Sequence, residues 1–367
     1  MALILTEEEQ LLKTAVGELL QSKAPISALR KLRDTKDPLG YNKSLWQEMS
    51  NMGLARLTIP EAYNGMGFSY VGLGQVLEQC GKTLVASPLV STTLLGSTAI
   101  QLGGNEEQKA KYLPTIADGS SIFAFAIDEG KHHDPDTCNT KITNGQVYGK
   151  KTFVLDGNVA DKFLVVAADG DTKKLVIVDA KSSGITIEKV EMMDSRNMAI
   201  LSFDKVAIEA TLDSYTGHYN LIDNVLDIAR IGLAAEMLGG IQEAFSRTIA
   251  YLKERSQFGV RIGTFQGLQH RSADMFGEIE LCKSVVIKAL QAIDSNSTDL
   301  PKMASLAKAK LGETYKTVSN EGIQMFGGIG MTDDEEIGFF LKRARVVQHT
   351  LGDTNFHLDR LARMKGY

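Results

Sequence analysis

The chain has 367 residues, 43% of them hydrophobic and 23% charged, too many for one small core and suited to two or three globular domains. A net charge of -5 leaves no electrostatic case for nucleic acid, and no apolar run approaches the roughly 20 residues of a membrane span. The opening MALILTEEEQLLK reads as neither a signal nor a transit peptide, and Cys80, Cys138 and Cys282 are too scattered for a disulfide framework or a zinc site. A cytoplasmic protein with reduced thiols is expected.

Thr6 and Glu9 stand in capping-box register, ahead of a helical apolar face formed by Leu11, Leu12, Val16, Leu19 and Leu20. Further helices are predicted over 44–52 around Trp46, over 70–82, from Ser87-Pro88, and from an Asn105 cap to about Pro114. Residues 1–118 therefore read as a helical domain. From Ser121 the character changes to short β-branched runs (SIFAFAI, KFLVVAA, KLVIVDA, GITIEKV) divided by Gly, Asp and Asn, so 119–215 read as an antiparallel β domain. Residues 216–367 return to helical periodicity, with helices over 219–255, 266–293, 301–326 and 333–348 and a short one after Gly352. Thr332 to Glu335 is read as a capping box for the fourth, and the long helices as an antiparallel bundle.

The first of these helices is apolar along one broad side from Leu221 to Leu252 and free of proline. It runs into Arg255-Ser256-Gln257-Phe258-Gly259, followed by Phe265-Gln266, a mixture that suits a planar, phosphorylated ligand better than a plain helix end. Neither GMG at 65–67 nor GGIG at 327–330 lies between a strand and a helix, so no Rossmann fingerprint is present.

RSQFG followed by IGTFQGLQHRSADM resembles the C-terminal domain of the acyl-CoA dehydrogenases, FAD enzymes that desaturate acyl-CoA thioesters. LTIPEAYNGMG and NEEQKAKYLPTIADG are similar to that family's N-terminal domain, and GKKTFVLDGNVADKFLVVA to the strand beside its flavin. The resemblance implies a mainly α protein with a middle antiparallel β domain, in the order helical, β, four-helix bundle. It implies FAD held by Arg255 at the pyrophosphate, with Gln257, Phe258, Phe265, Gln266 and Thr354 around the cofactor and Phe153 at a Trp position beside the flavin. A β-core aromatic explains Phe153 equally well. Gln324, Gly327 and Gly328 match a turn that approaches FAD on a neighbouring subunit, although glycines there also make an ordinary helix stop. Asp227, Arg230 and Gly352 match substrate-side positions; without the family, Asp227 and Arg230 would be a surface ion pair. The implied partners are an acyl-CoA, an electron acceptor such as an electron-transfer flavoprotein, and further copies in a homodimer or tetramer, or a related chain in a mixed oligomer.

Two departures stand out. Where the family has T-E-P-x-x-G-S-D, this chain has Ile127 to Asp134, matching only in Glu129 and Asp134; a metal reading of His132-His133 finds no third ligand at a recognisable spacing. The usual catalytic Glu is also absent, since its two family positions hold Leu351 and Ala229. Asp353 is the nearest carboxylate and the candidate catalytic base, with an N-cap as its alternative role. Glu236 lies two turns beyond Ala229 and reads as an ion-paired helix residue.

Overall fold

The computed structural model describes residues 3–217 and 220–367, so Tyr219, at the head of the expected long helix, lies outside the described residues. The elements run α1 (Glu7–Lys23), α2 (Ile26–Asp34), α3 (Lys43–Asn51), α4 (Tyr70–Thr83), α5 (Thr98–Gly103) and α6 (Glu106–Ala117). Eight strands follow: β1 (Phe123–Ala126), β2 (Lys141–Thr143), β3 (Gln146–Leu155), β4 (Lys162–Asp169), β5 (Thr172–Asp179), β6 (Ile185–Glu191), β7 (Asn197–Ala207) and β8 (Ala210–Thr211). The chain ends in α7 (Leu221–Glu254), a hairpin of β9 (Ser256–Gln257) and β10 (Val260–Arg261), α8 (Gln266–Asp294), α9 (Leu300–Phe326), α10 (Ile337–His349) and α11 (Thr354–Met364).

The chain gathers into two compact units. One combines the residues up to Arg30, Tyr70–Val85 and Arg230–Tyr367; the other combines Lys31–Ser69 and Ala86–Ala229.

The second unit is built on an eight-stranded sheet in the order β6-β7-β3-β2-β4-β5-β8, with β1 paired to β4. β1 and β2 both run parallel to β4, so the sheet is mixed, not purely antiparallel as the strand pattern implied. Alternation of side chains buries Val147, Phe163, Val165, Val176, Val178, Leu201 and Val206 on one core face. Beside it, residues 89–97 form a π-helix with Pro88 as its N-cap, where an ordinary helix was expected.

In the first unit the Thr6–Glu9 capping box forms as read. α4 and α7 approach closely because each presents a glycine to the other's backbone. A Cβ on Gly81 would lie 1.9 Å from the Glu236 carbonyl oxygen, and one on Gly239 would lie 1.8 Å from that of Glu78. Leu311, Tyr315 and Val318 of α9 are fully buried, and the two aliphatic side chains each contribute about 1.5–3 kcal/mol. The expected cap at 332–335 does not form. Thr332 Oγ1 turns back to the Ile329 carbonyl (2.7 Å), and α10 starts only at Ile337 with no side-chain cap.

Candidate functional site

The predicted residues of the first unit fall at two ends of its long helices. Arg255 to Gly259 form the β9–β10 hairpin. Its two-residue loop, Phe258-Gly259, has φ of +54° and +79°, the left-handed pair that matches strand twist in a type I′ turn. Arg255 and Gln257 are exposed, and Phe258 is 90% exposed, touching Phe265 edge-on with ring centres 6.2 Å apart. Phe265 is the residue before α8, and exposed Gln266 opens that helix.

The 327–331 turn reaches the same end. Tyr251, near the end of α7, stacks on Phe326 at the end of α9 (4.2 Å between ring centres) and its hydroxyl bonds the Phe326 carbonyl (3.3 Å). Gln324, Gly327 and Gly328 are exposed. Gly327 has φ +67°, which serves the helix stop, but a Cβ on Gly328 would meet nothing and its φ is ordinary. Nothing among the described residues requires that second glycine.

The other end is the 350–353 turn. Leu351 is 8% exposed at φ +57° and Gly352 has φ +105°. A branched-chain residue in the left-handed region costs energy unless its surroundings hold it there. Two donors do so: the Leu351 carbonyl accepts from Arg230 Nε (3.1 Å) and from His357 Nε2 (3.1 Å). The carbonyl can only accept, so the His357 proton sits on Nε2 and Nδ1 is a bare lone pair, buried without a partner among the described residues. Burial, with Arg230 and Lys308 nearby, drives the His357 pKa far down, so the ring stays neutral. Among the described residues the Leu351 N–H has no acceptor.

Asp353 caps α11, its Oδ1 accepting from Phe356 N–H (2.8 Å). Thr354 follows as the first residue of that helix. Glu236 is 3% exposed and ion-paired with Arg343, at 2.9 Å to Nη2. Ala229 is fully buried. Asp227 and Arg230, on successive turns of α7, are each 1% exposed, so neither is a surface charge. Arg230 also lies over the Phe356 ring at 5.5 Å.

Within the β unit, Phe153 lies where the pairing of β3 with β7 slips between Lys151 and Val154. It has φ +50° and is 41% exposed, so the irregularity turns its ring out of the core. The divergent 127–134 segment is bound to the same strand. Glu129 accepts from Lys151 Nζ, Thr140 N–H (both 2.8 Å) and Asn139 N–H (2.6 Å). Burial opposes its ionisation, but these bonds outweigh it and hold the carboxyl at about 2. His133 Nδ1 meets Asp128 Oδ1 at 2.8 Å. Lys308 was missed by sequence reading, and His357, which reads there as a polar helix residue, is fully buried; only burial gives the two away.

Family models described as the acyl-CoA dehydrogenase N-terminal and C-terminal domains match residues 6–120 and 217–365. The chain is 30% identical to acyl-CoA dehydrogenase IpdE2 of Mycolicibacterium smegmatis, over 97% of this chain and 98% of that one. Its fold superposes on a variant of the Tcur3481-Tcur3483 steroid ACAD with a TM-score of 0.90 at 30% identity, covering 98% of each chain. It also superposes on butyryl-CoA dehydrogenase from Megasphaera elsdenii, with a TM-score of 0.90 at 24% identity and 100% coverage of both. The chain belongs to the acyl-CoA dehydrogenase family of oxidoreductases, whose cofactor is FAD. The residues present fit such a group: a donor-bearing turn at one end, and an exposed Arg, aromatic rings and an open Gly-Gly turn at the other. Among the described residues no helix is long and apolar enough to cross a membrane.

Proposed function

We propose that the chain binds FAD and an acyl-CoA and takes part in α,β-desaturation of the thioester, with the Leu351 N–H as a donor to the thioester oxygen. The observation that carries this is the Leu351 turn: its carbonyl is fixed by Arg230 and His357 while its N–H has no acceptor among the described residues. A preorganised donor stabilises the oxyanion that develops when the α proton leaves. When bound, FAD supplies the acceptor for the β hydride.

Arg230 lies about 36 Å along the axis of α7 from Glu254, the residue before Arg255 (24 residues at about 1.5 Å each). The ribityl chain that joins a flavin ring to its pyrophosphate cannot bridge that span. One copy's Arg255 end therefore serves the cofactor of a neighbouring copy, which makes the working form an oligomer. A flavin-loaded monomer in sedimentation at micromolar concentration would refute this.

The base is either Asp353 or a carboxylate of a related partner chain. The commitments of Asp353 to its cap and Glu236 to Arg343 favour the partner. Anaerobic titration of the purified chain with butyryl-CoA, octanoyl-CoA, palmitoyl-CoA and a steroid side-chain CoA, following the flavin band, separates the readings. Bleaching by the chain alone that drops about 100-fold or more in Asp353→Asn assigns the base to Asp353. Bleaching at the wild-type rate in that variant eliminates it. Bleaching only after co-expression with a related chain supports the mixed oligomer, and a colourless protein that takes up no FAD ends the proposal.

A further inference from the structure

We propose that Lys308 is a positioning residue that fixes the 350–353 turn from α9, by binding the carbonyls at the end of α10. Its relevance to catalysis rests on the reading of Leu351 above. Lys308 is 1% exposed, and its Nζ donates to the carbonyls of Val347 (2.8 Å) and Gln348 (3.4 Å). These are among the last carbonyls of α10, which have no acceptor role inside the helix and carry its negative dipole end. A donor there closes the helix three residues before Leu351.

One turn further along α9, Gly312 meets the other side of the same turn. A Cβ at Gly312 would lie 2.8 Å from Thr354 Oγ1, and Gln348 Nε2 lies 3.4 Å from that oxygen. α9 thus touches both the end of α10 and the start of α11, and the four residues between them are held from each flank. Arg360 of α11 adds a bond to Ser305 Oγ on α9 (3.1 Å).

Stability alone does not explain a lysine in this place. Burial, with Arg230 and Arg343 adding repulsion, brings it down to about 7, against the pull of Asp353 and Glu236. His357, from α11, is a further titratable neighbour, itself held neutral in part by Lys308. A methionine would fill the space without that desolvation cost. The amino group is useful because, charged or neutral, it donates to two carbonyls at a defined point.

The test uses the FAD-loaded full chain and its Lys308→Met variant. Amide hydrogen exchange in the peptide spanning 347–356 should quicken about tenfold or more, with α4 and α8 unchanged. With whichever acyl-CoA of the panel bleaches the flavin, kcat should fall about tenfold or more with KM nearly constant, the pattern of a lost transition-state donor. Should Lys308→Met fail to fold, Gly312→Ala pushes on Thr354 from the same helix and should give the same two changes. Exchange at 347–356 as slow as in the wild type overturns the proposal. So does exchange that rises evenly along the chain while kcat follows the folded fraction. If no acyl-CoA bleaches the wild type, either alone or co-expressed with a related chain, the functional reading fails, and Lys308 is judged on the exchange alone.

Discussion

At one end of the long helices, Arg230, Lys308 and His357 are all but fully buried; the first and last bond the Leu351 carbonyl, and Lys308 bonds the end of α10 just before it. At the other, Arg255, Gln257, Phe258 and Gly328 stand exposed on backbone that is well defined but commits those side chains to little. The inner end is completed by its own chain, at the expense of buried charge and a left-handed leucine. The outer end leaves those residues exposed, which is what the proposed role at a neighbouring copy's cofactor requires. That contrast yields opposite signatures: changes to the inner end should move stability, and changes to the outer end should move cofactor binding and assembly.

The largest effect is expected at Gly352. A Cβ there would lie 2.5 Å from Phe356 Cδ1 and 2.7 Å from His357 Nε2, at a φ of +105°. Gly352→Ala should cost about 2–4 kcal/mol in denaturant unfolding, combining strain and overpacking. A change within about 0.5 kcal/mol would mean the turn is not held as described.

Next comes the pH dependence that Lys308 imposes. Its folded pKa of about 7 lies below the ordinary 10.5, so between those values the unfolded chain holds a proton that the folded chain has released. Stability from this group is therefore complete above about 10.5 and is lost as pH falls through 7, at up to about 1.4 kcal/mol per pH unit. Lys308→Met should lack this rise. The stability difference between wild type and variant should shift by about 2 kcal/mol or more in favour of wild type from pH 7 to 9. Parallel stability curves over that range would show that Lys308 stays ionised and that the burial argument is wrong.

At the outer end, Arg255→Ala should weaken FAD binding by about 1.5–3 kcal/mol, through loss of a charge-assisted phosphate bond. The melting of the flavin-free chain should not change, because the side chain is exposed. Unchanged flavin content after dialysis would remove Arg255 from the cofactor.

The outer end was the more legible in the sequence, and for a physical reason. Arg255, Gln257 and Phe258 beside Gly259 stood out by residue type, and Gly327 marked a helix stop, although the β9–β10 hairpin itself was not legible because Phe258 is no usual left-handed residue. Long apolar stripes likewise marked α7, α8 and α9 to within a residue or two. What escaped was set by distant partners. The parallel pairing of β1 and β2 with β4 depends on chain segments far apart, and no local pattern records its direction. Thr332 had an acceptor behind it at Ile329 as well as a helix ahead, so the cap was misplaced. In AKAKLGET, Lys308 reads as an ordinary polar helix residue, and nothing in Leu351 announces a left-handed turn. Both depend on α7, α9 and α11 meeting there.

The smallest effect gives the sharpest test of the contrast, because its two halves have opposite signs. Gly328 has an ordinary φ and open space where a Cβ would stand. Gly328→Ala should therefore stabilise the isolated chain by about 0.4–1 kcal/mol, by narrowing the freedom of the unfolded state. If the turn lies against the cofactor of a neighbouring copy, the added methyl group intrudes there, and flavin content and the sedimenting oligomer should both decline. The chain would become more stable and the holoprotein less so. A variant that melts higher and keeps its flavin and its oligomer would return the Gly-Gly turn to the role of helix stop, for which Gly327 alone is sufficient.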